Sequence, residues 1–373
     1  MTQINGADPY VDVPDEPPDE QLVEQSTWHP LDLGPYLRGE VTPIEPTQGV
    51  LRSDDLRMLY PGREHAVLGE TESGKTWFAL ACVAIELQLQ HTVIYIHFEE
   101  SDPASTIERL QLFGVPPELI ASRLLFVAPD RGIDPDSRAA LLTTGPALVI
   151  ADGVNEGMAM HGAATKDVEG WSEFRRRVIT PFIKMGATVL HCDHMPMGAD
   201  GSRRDAYGTV HKGAAVDGAR FILENKEPFG RDMRGRSLVF VTKDRPGHLR
   251  KHGKPSKTPG RTWMGTFVVD ATDDGFSVGF YAPKADEAIP ATAREDVLGE
   301  QIYEAIAGLP GGVATSKAEA YAAFKAADGK ARKQDVLDAI EVLAIQGRLE
   351  KVLGERKGSC GFKAVEIGSQ TGN

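Results

Sequence analysis

The sequence predicts an α/β fold with a mostly parallel central sheet, followed by a small C-terminal unit of helices and a hairpin. Three observations predict it. A glycine-rich loop, Gly69-Glu70-Thr71-Glu72-Ser73-Gly74-Lys75-Thr76, joins an apolar run (Ala66, Val67, Leu68) to a helical run (Trp77 to Leu87). Two compact apolar runs, Thr92 to Phe98 and Ala147 to Asp152, follow with helical segments between them. Strand–helix alternation of this kind builds a parallel sheet. From Leu298 onward, apolar residues recur at helical spacing in three segments and end in two short β-rich runs.

Length and composition set the frame. A chain of 373 residues suggests roughly two or three units, one large enough for a sizeable core. No apolar run reaches the ~18 residues of a membrane span, and the N-terminus lacks a basic-then-apolar signal, so no membrane partner is expected. Cys82, Cys192 and Cys360 are far apart, which points to a reducing, cytoplasmic setting and not to a disulfide framework. The net charge of -13 argues against a generally sticky nucleic-acid coat. Charge is uneven, however. Residues 1 to 60 hold twelve Asp/Glu against three Lys/Arg, and residues 245 to 261 hold six Lys/Arg and no acid.

Residues 1–47 read as an acidic disordered arm rich in Pro, Asp and Glu. Trp28 and Tyr36 are the candidate docking aromatics if the arm holds a partner. Short strands then lead into the loop at 69–76, whose pattern G-x-x-x-x-G-K-T is that of a phosphate-binding loop. Gly69 and Gly74 permit backbone angles that side chains forbid, so N–H groups can turn inward on phosphate oxygens. Lys75 adds a point charge at the β- and γ-phosphates and the Thr76 hydroxyl is a Mg²⁺ ligand. The helix that begins here aims its positive end at the same anion. The ATP-binding set is therefore Gly69, Glu70, Thr71, Glu72, Ser73, Gly74, Lys75, Thr76 and Trp77. Glu70 and Glu72 stand where small residues are common and place negative charge near an anion.

The strand at 92–98 runs into Glu99, Glu100, Ser101 and Asp102. A carboxylate at this strand end can orient the attacking water. Glu99 is the first candidate and Glu100 its rival, while Ser101 or Asp102 can cap the next helix. A helix over 107–113, a strand over 124–127 and a short helix over 138–142 follow. The run ending at Asp152 puts that carboxylate at the carboxyl end of a central strand, where it can hold Mg²⁺ through water.

Residues 153–170, with His161 and Lys166, read as a polar mobile loop, and 173–184 as a helix. The next strand is Ala187 to His194. His191, Cys192, Asp193 and His194 look like a metal cluster, but alternation sends neighbours to opposite faces. His191 reads as a packed residue and His194 as a polar sensor of the γ-phosphate. Residues 195–213 read as a long glycine-rich basic loop containing Arg203, Arg204, Tyr207, His211 and Lys212. Strands at 219–223 and 238–242 follow, the latter closed by Lys243-Asp244-Arg245. The basic run after it reads as a solvated loop, a phosphate contact or a reach toward a neighbouring subunit. An antiparallel pair at 266–270 and 276–280 closes the domain.

These residues resemble a RecA-type ATPase core. Gly69–Thr76, Tyr95-Ile96-His97-Phe98-Glu99, Leu148–Asp152, the strand ending at His194 and Lys243-x-Arg245 stand in the order of the RepA and DnaB branch of ring helicases, which includes many phage replication ATPases. The resemblance covers residues 48–282. It implies ATP and Mg²⁺, with Glu99 as catalytic carboxylate, Asp152 on the Mg²⁺ side and His194 as sensor. It further implies that Lys243 and Arg245 reach the γ-phosphate of the adjacent subunit in a homo-oligomeric ring, with a hexamer favoured. Loops 153–170 and 196–213 would face a central channel holding single-stranded nucleic acid through Arg203, Arg204 and Lys212. The setting it implies is the cytoplasm of a bacterium or of a phage-infected host, with a replication protein as a further candidate partner.

After a polar linker at 283–293, residues 294–366 resemble a winged helix, and 367–373 read as a disordered tail. Ser316-x-x-Glu319 is a capping box opening the second helix. If this unit binds duplex DNA, the third helix, with Lys330, Arg332 and Lys333, enters the major groove. Arg348, Lys351, Arg356 and Lys357 on the wing then meet phosphates. The alternative is a protein-docking winged helix. The functional expectation is an ATP-hydrolysing DNA motor or helicase loader in replication or recombination. A non-motor, ATP-switched DNA-binding regulator is the alternative. A small-molecule kinase would keep the loop but leave Lys243-x-Arg245 without a role.

Overall fold

The computed structural model describes residues 30–164, 167–195, 210–256, 258, 260–272, 275–287, 289, 293–345, 347–353 and 360–365. Contacts divide the chain at Pro43/Ile44. Of the first part, the described residues hold one helical turn, α1 (Gly34–Leu37), within a segment expected to be a disordered arm.

The second part opens with the hairpin β1 (Gln48–Leu51) and β2 (Arg57–Leu59), then β3 (Glu64–Gly69) and α2 (Lys75–Gln88). Next come β4 (Val93–His97), α3 (Ala104–Leu112), α4 (Pro117–Arg123), β5 (Leu124–Val127), α5 (Pro135–Thr143) and β6 (Leu148–Asp152). α6 (Val154–Met160), α7 (Val168–Phe174), α8 (Thr180–Lys184), β7 (Thr188–His194) and α9 (Val210–Ala215) follow. The core ends with β8 (Ala219–Glu227), β9 (Arg234–Asp244), β10 (Lys254–Pro255), β11 (Thr262–Asp270) and β12 (Ser277–Tyr281).

The strands form one sheet in the order β10-β11-β9-β8-β3-β7-β6-β4-β5, with β12 on β11. From β8 to β5 all neighbours are parallel. β9 and β11 continue the sheet antiparallel. This is the α/β class with a mostly parallel sheet that the strand–helix alternation predicts. Parallel strands covered on both faces read as unbroken apolar runs, because alternate side chains enter two different cores. Tyr95, Ile150 and Leu190 join α2 in one core, while Ile94, Ile96, Val149 and Val189 join α6, α7 and α8 in the other.

Two expectations for the segment after β6 are corrected. Residues 154–160 are helix, not loop. Gly153, at φ 82, turns the chain, and Val154 and Met158, one turn apart, are both fully buried. His161 closes this helix: its Nδ1–H donates to the Gly157 carbonyl at 2.7 Å while Nε2 accepts from Ile133 N–H at 3.1 Å. Lys166 lies outside the described residues. The helix expected at 173–184 is a longer path, α7 then a π-helical turn (Arg175–Ile179) then α8. Pro181 explains the break, since it supplies no N–H and its ring crowds the preceding turn.

The C-terminal unit contains α10 (Ala293–Ala307), β13 (Val313–Ala314), α11 (Lys317–Ala326), α12 (Lys333–Ile345), β14 (Leu349–Leu353) and β15 (Cys360–Ala364). Its three helices and hairpin match the sequence reading. β13, which pairs with β15, is an addition that a two-residue strand cannot announce. Its core is Ile302, Ile306, Phe324, Val336, Ile340, Leu349 and Phe362. The Ser316 hydroxyl accepts the Glu319 N–H at 3.2 Å, but Glu319 reaches back to Thr315 N–H at 2.7 Å, one residue earlier than a strict capping box.

Candidate functional site

Strand register gathers the chemistry at one edge. Gly69 of β3 lies opposite His194 of β7, Asp152 of β6 opposite Cys192 of β7, and His97 of β4 opposite Asp152. The carboxyl ends of four parallel strands therefore finish at one level, which is where open α/β sheets bind ligands.

The loop between β3 and α2 is wound tightly. Glu72 and Gly74 both take positive φ, 58° and 83°, which turns successive N–H groups toward one concavity. A side chain at Gly69 would collide with Ser73, whose Oγ would stand 2.2 Å from the added carbon. That Ser73 Oγ is buried and has no partner among the described residues. Lys75 is buried, and its ammonium donates to the Gly69 and Glu70 carbonyls at 3.1 and 2.7 Å. Burial lowers its pKa, and neighbouring Cys192, Asp152 and Glu99 oppose the drop. A cradle of this shape, with an unsatisfied hydroxyl and a buried cation, fits a polyphosphate.

The loop is fastened from outside. The Glu72 carbonyl accepts Phe229 N–H at 3.1 Å and Asn225 Nδ2–H at 3.3 Å, and the Ser73 carbonyl accepts the Ser237 hydroxyl at 2.8 Å. β8 and β9 thus hold its backbone in place. The carboxylates of Glu70 and Glu72 belong to exposed residues, so water screens the negative charge that the sequence places beside an anion site.

Thr76 and Asp152 meet. The Thr76 hydroxyl donates to Asp152 Oδ2 at 3.1 Å, and the Tyr95 hydroxyl donates to the same oxygen at 2.7 Å. Burial and the Asp152 carboxylate push the Tyr95 phenol well above its ordinary pKa, so it stays a donor. A hydroxyl and a carboxylate oxygen side by side, next to a phosphate cradle, are the donor set a Mg²⁺ ion takes. No group of three or more His, Cys, Asp or Glu side chains gathers at metal-ligand spacing among the described residues. His191 is buried between Glu64 and Trp171.

Glu99 and Glu100 separate cleanly. His97 Nδ1 accepts the N–H of both, at 3.3 and 3.0 Å, and so shapes the turn. Glu100 accepts the Ser105 hydroxyl at 3.2 Å, and its Oε2 lies 3.7 Å from His97 Nε2. Glu99 faces His194, with Oε1 and Nε2 3.7 Å apart. The His194 imidazole holds the Glu99 carboxyl below its ordinary pKa, against partial burial. Gly153 is what allows this packing, because a side-chain carbon there would stand 2.7 Å from Glu99 Cγ.

Trp77 packs inward. It stacks on Phe276 at 6.1 Å and meets Phe113 edge-on, and the Arg109 guanidinium lies 5.1 Å from its ring. It also lines a cavity of about 300 Å³ with Arg109, Arg231, Asp232, Thr272 and Phe276. This cavity flanks the first turn of α2, and its Gly230 follows Phe229, whose ring lies against Gly74. Its size is at the low end for small-molecule pockets.

The predicted cations divide differently from the sequence reading. Lys212 was expected on a nucleic-acid loop; it is buried on α9, with Nζ 3.1 Å from Asp193 Oδ2 and 2.7 Å from Asn155 Oδ1. No ammonium is left there for a phosphate backbone. Lys243 donates to the Gly213 and Ala214 carbonyls at 3.2 and 2.7 Å, so it caps the carboxyl end of α9 in its own chain. Arg245 is exposed. In the basic run, Arg250 donates to Gly260 O and Thr262 Oγ1, Lys254 to Ala285 O and Glu287 O, and Arg261 pairs with Glu224 at 3.3 Å over the Phe240 ring. These three hold the fold together and are not a solvated loop. Arg203 and Arg204 lie outside the described residues, as do Lys257, Arg356 and Lys357. Lys333 is exposed at the start of α12, 5.8 Å from the Tyr321 ring. The exposed residues that follow it on α12 include Asp335 and Asp338.

Sequence reasoning missed Tyr95, His97, Gly153 and the cavity residues Arg109, Arg231 and Phe276. Tyr95 and His97 sit inside a quoted motif, but only the register with β6 reveals Tyr95's partner. The cavity residues come from three distant segments and carry no local signal.

No protein-family model matches the chain, and no curated protein matches it. Among solved structures it is similar to a KaiC-like protein of the hyperthermophilic archaeon Pyrococcus horikoshii. The identity is 14 %, the match covers 63 % of this chain and 99 % of that one, and the TM-score is 0.44.

Proposed function

We propose that the chain is a RecA-type ATP hydrolase that assembles through its ATP sites and acts on DNA in replication or recombination. The observation that carries this reading is the meeting, at one sheet edge, of the phosphate cradle, the Thr76–Asp152 contact and the Glu99–His194 pair. The insertion of β7 between β3 and β6 supports it, because that order brings His194 between the cradle and Asp152.

Loop N–H groups and Lys75 bind the β- and γ-phosphates. Thr76 and Asp152 would hold Mg²⁺, which would supply charge neutralisation at the phosphates when bound. Tyr95 fixes the Asp152 carboxylate by its hydrogen bond. Glu99, kept ionised by its depressed pKa, accepts a hydrogen bond from water and aims it at the γ-phosphorus. His194 orients Glu99 through the contact between their side chains and serves as the polar sensor of the γ-phosphate in this reading. The cavity beside Trp77 receives the nucleobase, with Arg109 and Phe276 as its walls. Arg245, exposed on the turn after β9, completes a neighbouring site in trans. Lys243 is a brace for that turn and not a second finger. Residues 48–282 are the ATPase domain in this reading, and 294–366 a winged-helix unit joined by a linker.

A second reading, an ATP-switched regulator, draws on α12. Its first turn carries Lys333 next to Lys330 and Arg332, while Asp335 and Asp338 follow. Contact with duplex phosphates would be confined to that turn. The test is steady-state ATP hydrolysis without DNA, with single strands and with duplex, using Lys75→Ala as the blank. Stimulation by single strands is the result expected of a ring motor. Flat, slow turnover with tight duplex binding moves the assignment to the regulator. Turnover equal to the Lys75→Ala blank removes both.

A further inference from the structure

α9 is six residues long, yet it is tied to four other elements. Lys212 reaches Asp193 on β7 and Asn155 on α6. Its carbonyls at Gly213 and Ala214 accept Lys243 from β9, and that at Ala215 accepts Arg175 from the π-helical turn at 3.5 Å. The Lys212–Asp193 pair is nearly sealed from water, with side chains 1 % and 0 % exposed. The Lys212 ammonium also lies 5.7 Å from the Trp171 ring. Two carboxamide or carboxylate acceptors and an aromatic face satisfy a group that has three N–H donors and no acceptor.

A sealed ion pair is a poor device for stability alone. Desolvating both charges costs about what their attraction returns, and an apolar pair of the same volume often serves as well. The geometry gives this pair another use. Asp193 has two oxygens and uses them differently. Oδ2 takes Lys212, and Oδ1 accepts the backbone N–H of His194 at 2.8 Å. His194 is the residue whose imidazole stands 3.7 Å from Glu99. The pair therefore fixes the carboxylate that fixes the peptide that carries the imidazole.

We infer that Lys212 is a positioning residue for hydrolysis: by pairing with Asp193 it sets the His194 peptide and holds the imidazole against Glu99. The inference rests on the ATPase reading above. Lys212 touches no reacting atom. Its effect passes through Asp193 and His194, so it belongs in turnover and not in nucleotide affinity.

The full-length protein is compared with Lys212→Met, Lys212→Arg and the double variant Asp193→Leu/Lys212→Met. Thermal midpoint, fluorescent-ADP affinity, kcat and KM are measured for each. Lys212→Met leaves a carboxylate buried and unpaired, and its midpoint falls. The double variant removes both charges and recovers most of the midpoint, short of the hydrogen bond that the His194 N–H loses with the Asp193 carboxylate. Its kcat stays depressed by about 10- to 100-fold, the scale of a slight misplacement in an active site, while KM and ADP affinity stay within about threefold. Lys212→Arg recovers part of kcat. A double variant with wild-type midpoint and wild-type kcat shows a purely structural pair and overturns the inference. If the double variant does not fold, Asn155→Ala decides, because it only loosens Lys212: a kcat lowered at constant KM is expected, and unchanged kcat overturns the inference. Wild-type protein that binds no ADP and matches the Lys75→Ala blank is a separate outcome, which removes the ATPase reading and this inference together.

Discussion

The sheet edge that carries the glycine-rich loop and the basic side of the core differ in how far charge can be read from sequence. At the edge, the loop 69–76, Asp152, Glu99 and His194 converge from four strands. Each stands at a strand end that its own apolar run marks. On the basic side, Lys212, Lys243, Arg250, Lys254 and Arg261 look like a surface for anions, and all five are engaged by carbonyls or carboxylates of their own chain. A strand end is a local property. The availability of a cation depends on what folds against it, and a long side chain reaches acceptors far away in sequence.

The largest effect is expected at the turn after β9. Arg245→Ala is expected to cut ATP turnover by about 10³-fold while nucleotide still binds. Lys243→Ala is expected to leave most turnover and to cost about 1 kcal/mol of stability through the lost α9 cap. Kinetics and denaturant unfolding on the two variants check this, and equal loss of turnover in both would restore the paired-finger reading.

At the cavity, Phe276→Ala removes one proposed wall of the nucleobase site. KM for ATP is expected to rise by about tenfold at nearly constant kcat, the pattern of lost uniform binding. A fall in kcat at unchanged KM would place the base elsewhere.

The Glu99–His194 contact predicts a pH effect of defined sign. The folded carboxyl has a pKa below its ordinary value, chiefly through His194. Its ionised form, and the stability that goes with it, is complete above the ordinary carboxylate pKa and is lost as pH falls through the depressed folded value. The acid limb of the turnover profile therefore lies below the ordinary glutamate pKa. In His194→Ala the limb moves upward, and an unmoved limb with residual turnover would disconnect the pair.

The smallest effect belongs to Glu72, a non-glycine residue at φ 58°. Glu72→Gly relieves left-handed strain of about 1 kcal/mol and removes a carboxylate beside the anion cradle. A slightly raised thermal midpoint and an unchanged or tighter ATP affinity are expected from calorimetry and titration.

Much of the fold was legible because its elements are local. The run Ala147 to Asp152 is a strand wherever it is buried, Gly74 takes the left-handed φ of the loop, and Gly69 leaves room for Ser73. What misled was also local. Residues 153–170 look polar and glycine-rich, yet Val154 and Met158 stand one helical turn apart and find a core on the far face of the sheet. A two-residue apolar spacing within a polar segment is too weak to announce a helix without its partner surface.

The sheet class, the glycine-rich loop, the strand-end carboxylates and the helical C-terminal unit are readable along the chain, because backbone periodicity and glycine chemistry act over a few residues. That Glu99 and not Glu100 contacts His194, that Tyr95 supports Asp152, and that Lys212 and Lys243 turn inward emerges in the folded chain alone. Those outcomes depend on strand register and on acceptors brought near by packing, and both are properties of the folded chain.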